Sequence, residues 1–112
     1  MFGNWLNWQG NRATEKDIRD WLDRSGYYGN SARFDYVELH AIQRPGWLQI
    51  FRFACQAKSA DNQWQYLFGI VRDDERYRRN EIEVFATEQQ RRVLLDQWSE
   101  GLIVRRSRYR SS

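Results

Sequence analysis

The chain has 112 residues, enough for one domain and too few for two ordinary ones. Seven glycines, one proline and one cysteine exclude collagen-like, low-complexity and disulfide-scaffold classes. The formal charge of +3 is unevenly spread: residues 105–112 hold four arginines and no acid, which leaves residues 1–104 at −1, so an argument from basicity to nucleic acid concerns only the end of the chain.

The mean hydropathy of −0.90 lies close to a disordered composition. Ile, Leu, Val and Phe still number 25, and six Trp and six Tyr add ring carbon that hydropathy scores poorly. A compact core is therefore feasible. No apolar run is long enough for a membrane span. The opening MFGNWLNWQG has neither a basic n-region nor a continuous apolar h-region, so it does not read as a secretory signal. Phe2, Trp5 and Leu6 share helical spacing, and the segment has no basic residue to hold anionic lipid. It is expected to pack on the domain.

Taken along the chain, Thr14 reads as a helix N-cap, with Glu15 and Asp17 in the first turn. Ile18, Trp21 and Leu22 form an apolar stripe, and Gly26 suits a C′ position. The spacing predicts a helix over 14–25, followed by a turn-rich connector, 26–33. Residues 34–44 alternate as a strand, with Val37, Leu39 and Ala41 on one face. Pro45-Gly46 signals a turn. The second strand, 47–58, places Phe51, Phe53 and Cys55 on one face. A turn at Ala60-Asp61-Asn62 leads to the third, 63–72, where Trp64, Tyr66, Phe68 and Ile70 share a face. The charged connector 73–80 precedes a fourth strand, 81–86, with Ile82 and Val84 inward. Thr87 and Gln90 form a capping box for a final helix striped by Leu94, Leu95, Trp98 and Leu102.

The expectation is an α+β single domain over 1–104, with residues 1–13 packed on it and 105–112 a disordered basic tail. A four-stranded antiparallel meander is flanked by an N-terminal and a C-terminal helix, in the order α-β-β-β-β-α. As a topology this resembles a cystatin-like or cone-shaped sheet wrapping a helix.

The apolar pattern constrains the register, because a one-residue slip exchanges faces. A two-residue turn at Asp61-Asn62 pairs Ala57 with Tyr66, Cys55 with Phe68 and Phe53 with Ile70, all apolar. A bulged turn at Pro45-Gly46 pairs Val37 with Cys55, Leu39 with Phe53 and Ala41 with Phe51. The core face, covered by both helices, then holds Tyr66, Phe68, Ile70, Ile82 and Val84 beside these residues. The opposite face carries Ile42, Ile50, Leu67, Val71 and Phe85 among Glu38, His40, Arg52, Gln56, Glu81 and Glu83. That is more apolar than solvent contact needs, and it marks the five apolar residues as a candidate interface for a homodimer or a protein partner.

Chemistry is sparsely signalled. His40 is the only histidine and Cys55 the only cysteine, so the usual zinc sets are excluded and no metal or cofactor is implied. A Cys55–His40 dyad fails because the two fall on opposite faces. Glu38, His40 and Arg52 can form a polar cross-strand cluster. The acidic run Asp73-Asp74-Glu75 is followed at once by Arg76, Arg78 and Arg79 and reads as a self-paired loop. No phosphate-binding glycine loop or nucleophile motif is present. An RNA platform would need aromatic residues on an open sheet face, and this register assigns them to the core. The expectation is a non-enzymatic, cytoplasmic binding or assembly domain using the outer face. The alternative is a nucleic-acid accessory protein binding through Arg105, Arg106, Arg108, Tyr109 and Arg110. An enzyme or small-ligand pocket in the concave face of the sheet, with Tyr66, Trp64 or Glu38 as lining, comes third.

Overall fold

The structure is a computed structural model that describes the backbone of residues 2–43 and 47–105, and side chains from Arg12 onward. The elements are α1 (Phe2–Arg24), β1 (Tyr27–Gln43), β2 (Leu48–Ser59), β3 (Trp64–Asp74), β4 (Arg79–Phe85), α2 (Glu88–Trp98) and β5 (Ile103–Val104). The strands form one curled antiparallel sheet in the order β4-β3-β2-β1-β5. The α+β class and the helix–meander–helix order are as the sequence indicates. The edge strand β5, which pairs with Ala41 and Ile42 of β1, is an addition.

Two boundaries differ from expectation. The helix begins at Phe2, so Thr14 is a buried residue inside α1 and not its N-cap. The Trp-rich opening therefore continues the helix, while its side chains, and with them the expected packing, lie outside the described residues. Strand β1 begins at Tyr27, inside the stretch expected to be a turn. Gly26 ends α1 as expected, with a φ of +97° that a side chain would resist. The Gly29 amide then donates to Asp23 Oδ1 at 2.7 Å, and Arg19 Nη1 donates to the carbonyls of Gly29 and Ala32. Helix α1 thereby holds the start of β1 in place despite its turn-prone composition.

Register decides the rest. Between β2 and β3 the pairs are Cys55 with Leu67, Phe53 with Gly69 and Phe51 with Val71, one residue away from the expected set. The cause lies in the turn. Ser59 N donates to Gln63 O at 2.8 Å, and Asn62 takes a φ of 67°, so the loop has three residues, Ala60 to Asn62. A turn closed by a left-handed residue is the usual three-residue hairpin. Between β1 and β2 the pairs are Val37 with Phe53, Leu39 with Phe51 and Ala41 with Ile50. Irregularities at Tyr28/Arg33, Phe34/Tyr36 and Leu39/Ala41 absorb the offset, and the last one carries Ala41 to the other face. The expected Pro45-Gly46 turn lies outside the described residues.

One slip of one residue turns β3 over, and the helices separate accordingly. Helix α1 covers one face, where Ile18 and Leu22 pack with Val37, Phe51, Phe53, Cys55, Leu67, Val71 and Ile82. Helix α2 covers part of the other, where Leu95 packs with Ala41, Ile50 and Ile70, supported by Phe85, Leu94, Trp98 and Leu102. The expectation that both helices lie on one face is thus corrected. Burial of each large apolar side chain contributes about 1.5–3 kcal/mol, so a two-sided sheet of this kind uses most of the chain's apolar residues in its own core.

Candidate functional site

The five expected interface residues do not form a face. Leu67 and Val71 are buried on the α1 side, and Ile50 is buried on the α2 side. Phe85 is half-buried against the α2 cluster. Ile42 is half-buried and pairs with Gln49 and Ile103. The physical reason is the β3 slip, which brings Leu67 and Val71 under α1. What the slip removes from the core matters more: Trp64, Tyr66 and Phe68 move to the α2 side.

Under α2 that face is tightly held. Arg91 is buried; its Nη1 donates to Tyr36 Oη at 2.7 Å and to the Phe53 carbonyl at 2.9 Å, and its Nη2 lies 3.4 Å from Glu88 Oε2. The guanidinium also lies over the Tyr36 and Phe68 rings. Beside it, Arg52 Nε and Nη2 both donate to Glu38 Oε1, at 3.0 and 2.7 Å. The Glu38 carboxylate expected in an acid–base cluster is thus engaged by Arg52. His40 has its pKa lowered, first by burial and next by the Arg52 charge. Cys55 sits in the α1-side cluster, and burial pushes its thiol up to about 12. The Cys55–His40 pair is accordingly not brought together, as expected.

Away from α2 the same face lies open. Paired residues place Tyr28, Lys58 and Trp64 in one row across β1, β2 and β3, and Arg33, Gln56 and Tyr66 in the next. Tyr28 and Trp64 are each 48% exposed and Tyr66 38%. The Arg33 guanidinium lies 5.4 Å from the Trp64 ring centre, and Lys58 Nζ lies 5.7 Å from it. Tyr66 meets Phe68 edge-on at 5.0 Å. Its hydroxyl donates to Asp35 Oδ2, in the bulge beside the row, and that bond pushes the phenol pKa up to about 12. Tyr66 is thus oriented from the side, and the Trp64 ring carries the two cations over it.

Trp64 and Tyr66, expected to line a pocket together with Glu38, sit at this open end. Glu38 lies farther along the face, in the row of Arg52, so the three do not converge. Of the tail candidates, Arg105 is exposed, and its backbone N donates to His40 O at 2.7 Å. Arg106, Arg108, Tyr109 and Arg110 lie outside the described residues. The charged stretch folds locally: Asp74 Oδ1 accepts from the amides of Arg76 and Tyr77, and Arg76 stacks on Trp47 at 3.9 Å. Asp73 is half-buried, and its pKa is raised to about 6 by burial and then by Glu75, Asp17 and Asp74.

The sequence places Gln56 and Lys58 on the outer sheet face, but it puts Tyr28 and Arg33 in a connector and Trp64, Tyr66 and Phe68 on the core face. The signal that could have corrected this is Gly69, which would lie opposite a bulky Phe53. Among the described residues, no group of three or more His, Cys, Asp or Glu side chains is placed to hold a metal ion. Among the same residues, no helix is long and apolar enough to cross a membrane. No family model, no curated protein and no solved structure matches this chain.

Proposed function

We propose that the protein is a non-enzymatic binding domain whose binding surface is the open end of the α2-side sheet face. The observation that supports this is the exposed pair Trp64 and Tyr66, set among Arg33, Gln56 and Lys58 on paired strands. Large exposed rings are poorly used in a monomer and well used in recognition, where they bring contact area at little entropic cost. A buried, unreactive Cys55 suits a reducing compartment, and we place the protein in the cytoplasm. The test is a photo-reactive phenylalanine analogue in place of Tyr66, with exposed Val93 on α2 as the control position. Irradiation in cells is expected to yield a discrete adduct from position 66 and none from position 93. An absence of adduct at 66 above the level at 93 overturns the proposal.

A protein partner, a second copy of this chain included, is the other reading. It is favoured by Ile103 and Val104, about half exposed on the two-residue edge strand β5. An edge strand leaves one row of backbone groups unpaired and open to strand addition. Sedimentation is expected to show a dimer that Val104→Asp converts to monomer; a monomer at all concentrations counts against self-association.

A further inference from the structure

We infer that the occupant of this surface is single-stranded nucleic acid. The inference rests on the preceding reading of the open face. It names the partner by the chemistry the face presents: flat rings for bases and flanking cations for phosphates.

Trp64 and Tyr66 are two residues apart on β3, so their side chains leave the same face about 7 Å apart. Tyr28 stands at the far end of the Trp64 row, about 10 Å away across two strand spacings. Three exposed rings on one curved sheet offer stacking surface; at Trp64 a base takes the place of an overlying cation, which is left beside the phosphate. Stacking of this kind tolerates any sequence, because every base has a π-face. In a duplex those faces are already stacked on one another, so a ring platform favours the single strand.

Charge agrees with this. The two rows Tyr28–Lys58–Trp64 and Arg33–Gln56–Tyr66 contain two cations and no acid. The nearby carboxylate of Asp35 is occupied by the Tyr66 hydroxyl. Strand β5 runs antiparallel to β1, so at Arg105 the chain is heading along the β1 edge toward the end that carries Arg33. Residues 106–112, RSRYRSS, add three arginines. A protein partner would explain the rings, but it would not call for two cations and no acid set among them.

The experiment is fluorescence anisotropy with the full chain and labelled 15-nucleotide probes: single-stranded DNA, single-stranded RNA and duplex DNA of the same sequence. The DNA and RNA arms identify the sugar preferred. Single strands are expected to bind more tightly than the duplex. Trp64→Ala with Tyr66→Ala is expected to weaken single-strand binding at least tenfold. Trp64→Phe with Tyr66→Phe, which keeps flat rings, should restore most of it. Arg33→Gln with Lys58→Gln should lower the salt slope by about 1.4, at roughly 0.7 per phosphate contact for single strands. Far-UV circular dichroism and melting of each variant confirm its fold, and the Phe pair keeps the test valid where the Ala pair is unstable. Duplex binding as tight as single-strand binding, or a folded Ala pair that binds like wild type, overturns the inference. A protein that binds no strand, yet still gives the adduct at position 66, overturns the nucleic-acid occupant and leaves the binding surface standing. Loss of both overturns both.

Discussion

Phe53 and Gly69 lie opposite each other in the β2–β3 ladder, and the Phe53 ring fills the space that a side chain at position 69 would need. The nearest atoms to a Cβ built there belong to the ring itself. Phe53 is fully buried, so it has nowhere to retreat. Gly69→Ala is therefore expected to destabilise the fold by about 1–3 kcal/mol, the usual cost of overpacking. Chemical denaturation measures this directly. In a double-mutant cycle with Phe53→Leu the cost should shrink, because the smaller side chain yields the space. Full additivity would show that the two residues do not share it.

Arg91 ties α2 to the sheet. Its guanidinium is buried and donates to the Phe53 carbonyl and the Tyr36 hydroxyl. Arg91→Ala removes both of these bonds and opens a void, so a loss of about 3 kcal/mol or more is expected in urea unfolding. Tyr36→Phe removes one hydrogen bond to a charged donor and keeps the ring beneath it, which should cost about 1.5–3 kcal/mol. Equal losses for the two variants would contradict the assigned geometry.

Asp73 carries a pH dependence of definite sign. Its folded pKa, about 6, lies above the ordinary 3.8. The folded state therefore holds the proton more tightly than the unfolded chain does. The stability this provides is fully present below about pH 4 and is lost as the pH rises through 6. Asp73→Asn should accordingly stabilise the protein above pH 6.5 and make little difference near pH 4. His40 acts in the opposite sense, since burial and Arg52 favour its neutral form, and stability from that source falls with acidification. Comparing melting temperatures of wild type and Asp73→Asn across pH isolates the aspartate. A constant offset at every pH would rule out its titration as the cause.

Thr87 begins α2 with a full capping box. Its hydroxyl accepts from the Gln90 amide at 3.1 Å, while Gln90 Oε1 accepts from the Thr87 amide at 3.3 Å. Thr87→Ala should cost about 1 kcal/mol, and Thr87→Ser much less. Both differences are readable in thermal unfolding.

The cap shows what kind of feature can be read from residues in order. Thr87 and Gln90 satisfy one another three positions apart, and no distant contact is needed to choose between alternatives. Alternation in β1 to β4, the stripe of Ile18, Trp21 and Leu22, and the stop at Gly26 have the same local character. The α+β class and the order of its elements follow from these. Thr14 shows the limit of local signals. It has the right chemistry for a cap, but α1 continues through it, and the preceding Trp-rich residues extend the helix instead.

The open face with its exposed rings was not legible in this way. Its existence turns on whether the β2–β3 loop has two residues or three, and both registers pair apolar residues with apolar residues. The left-handed Asn62 and the fit of Phe53 to Gly69 decide it, and the second is a contact between positions sixteen apart.

By itself, then, the sequence determined that this is one aromatic-rich α+β domain with its excess positive charge at the end, since composition and short-range periodicity suffice for that. Only the tertiary structure decided which face each ring occupies. A strand has a period of two, so a single residue of slip exchanges core for surface, and the energy that prevents the slip resides in packing between strands.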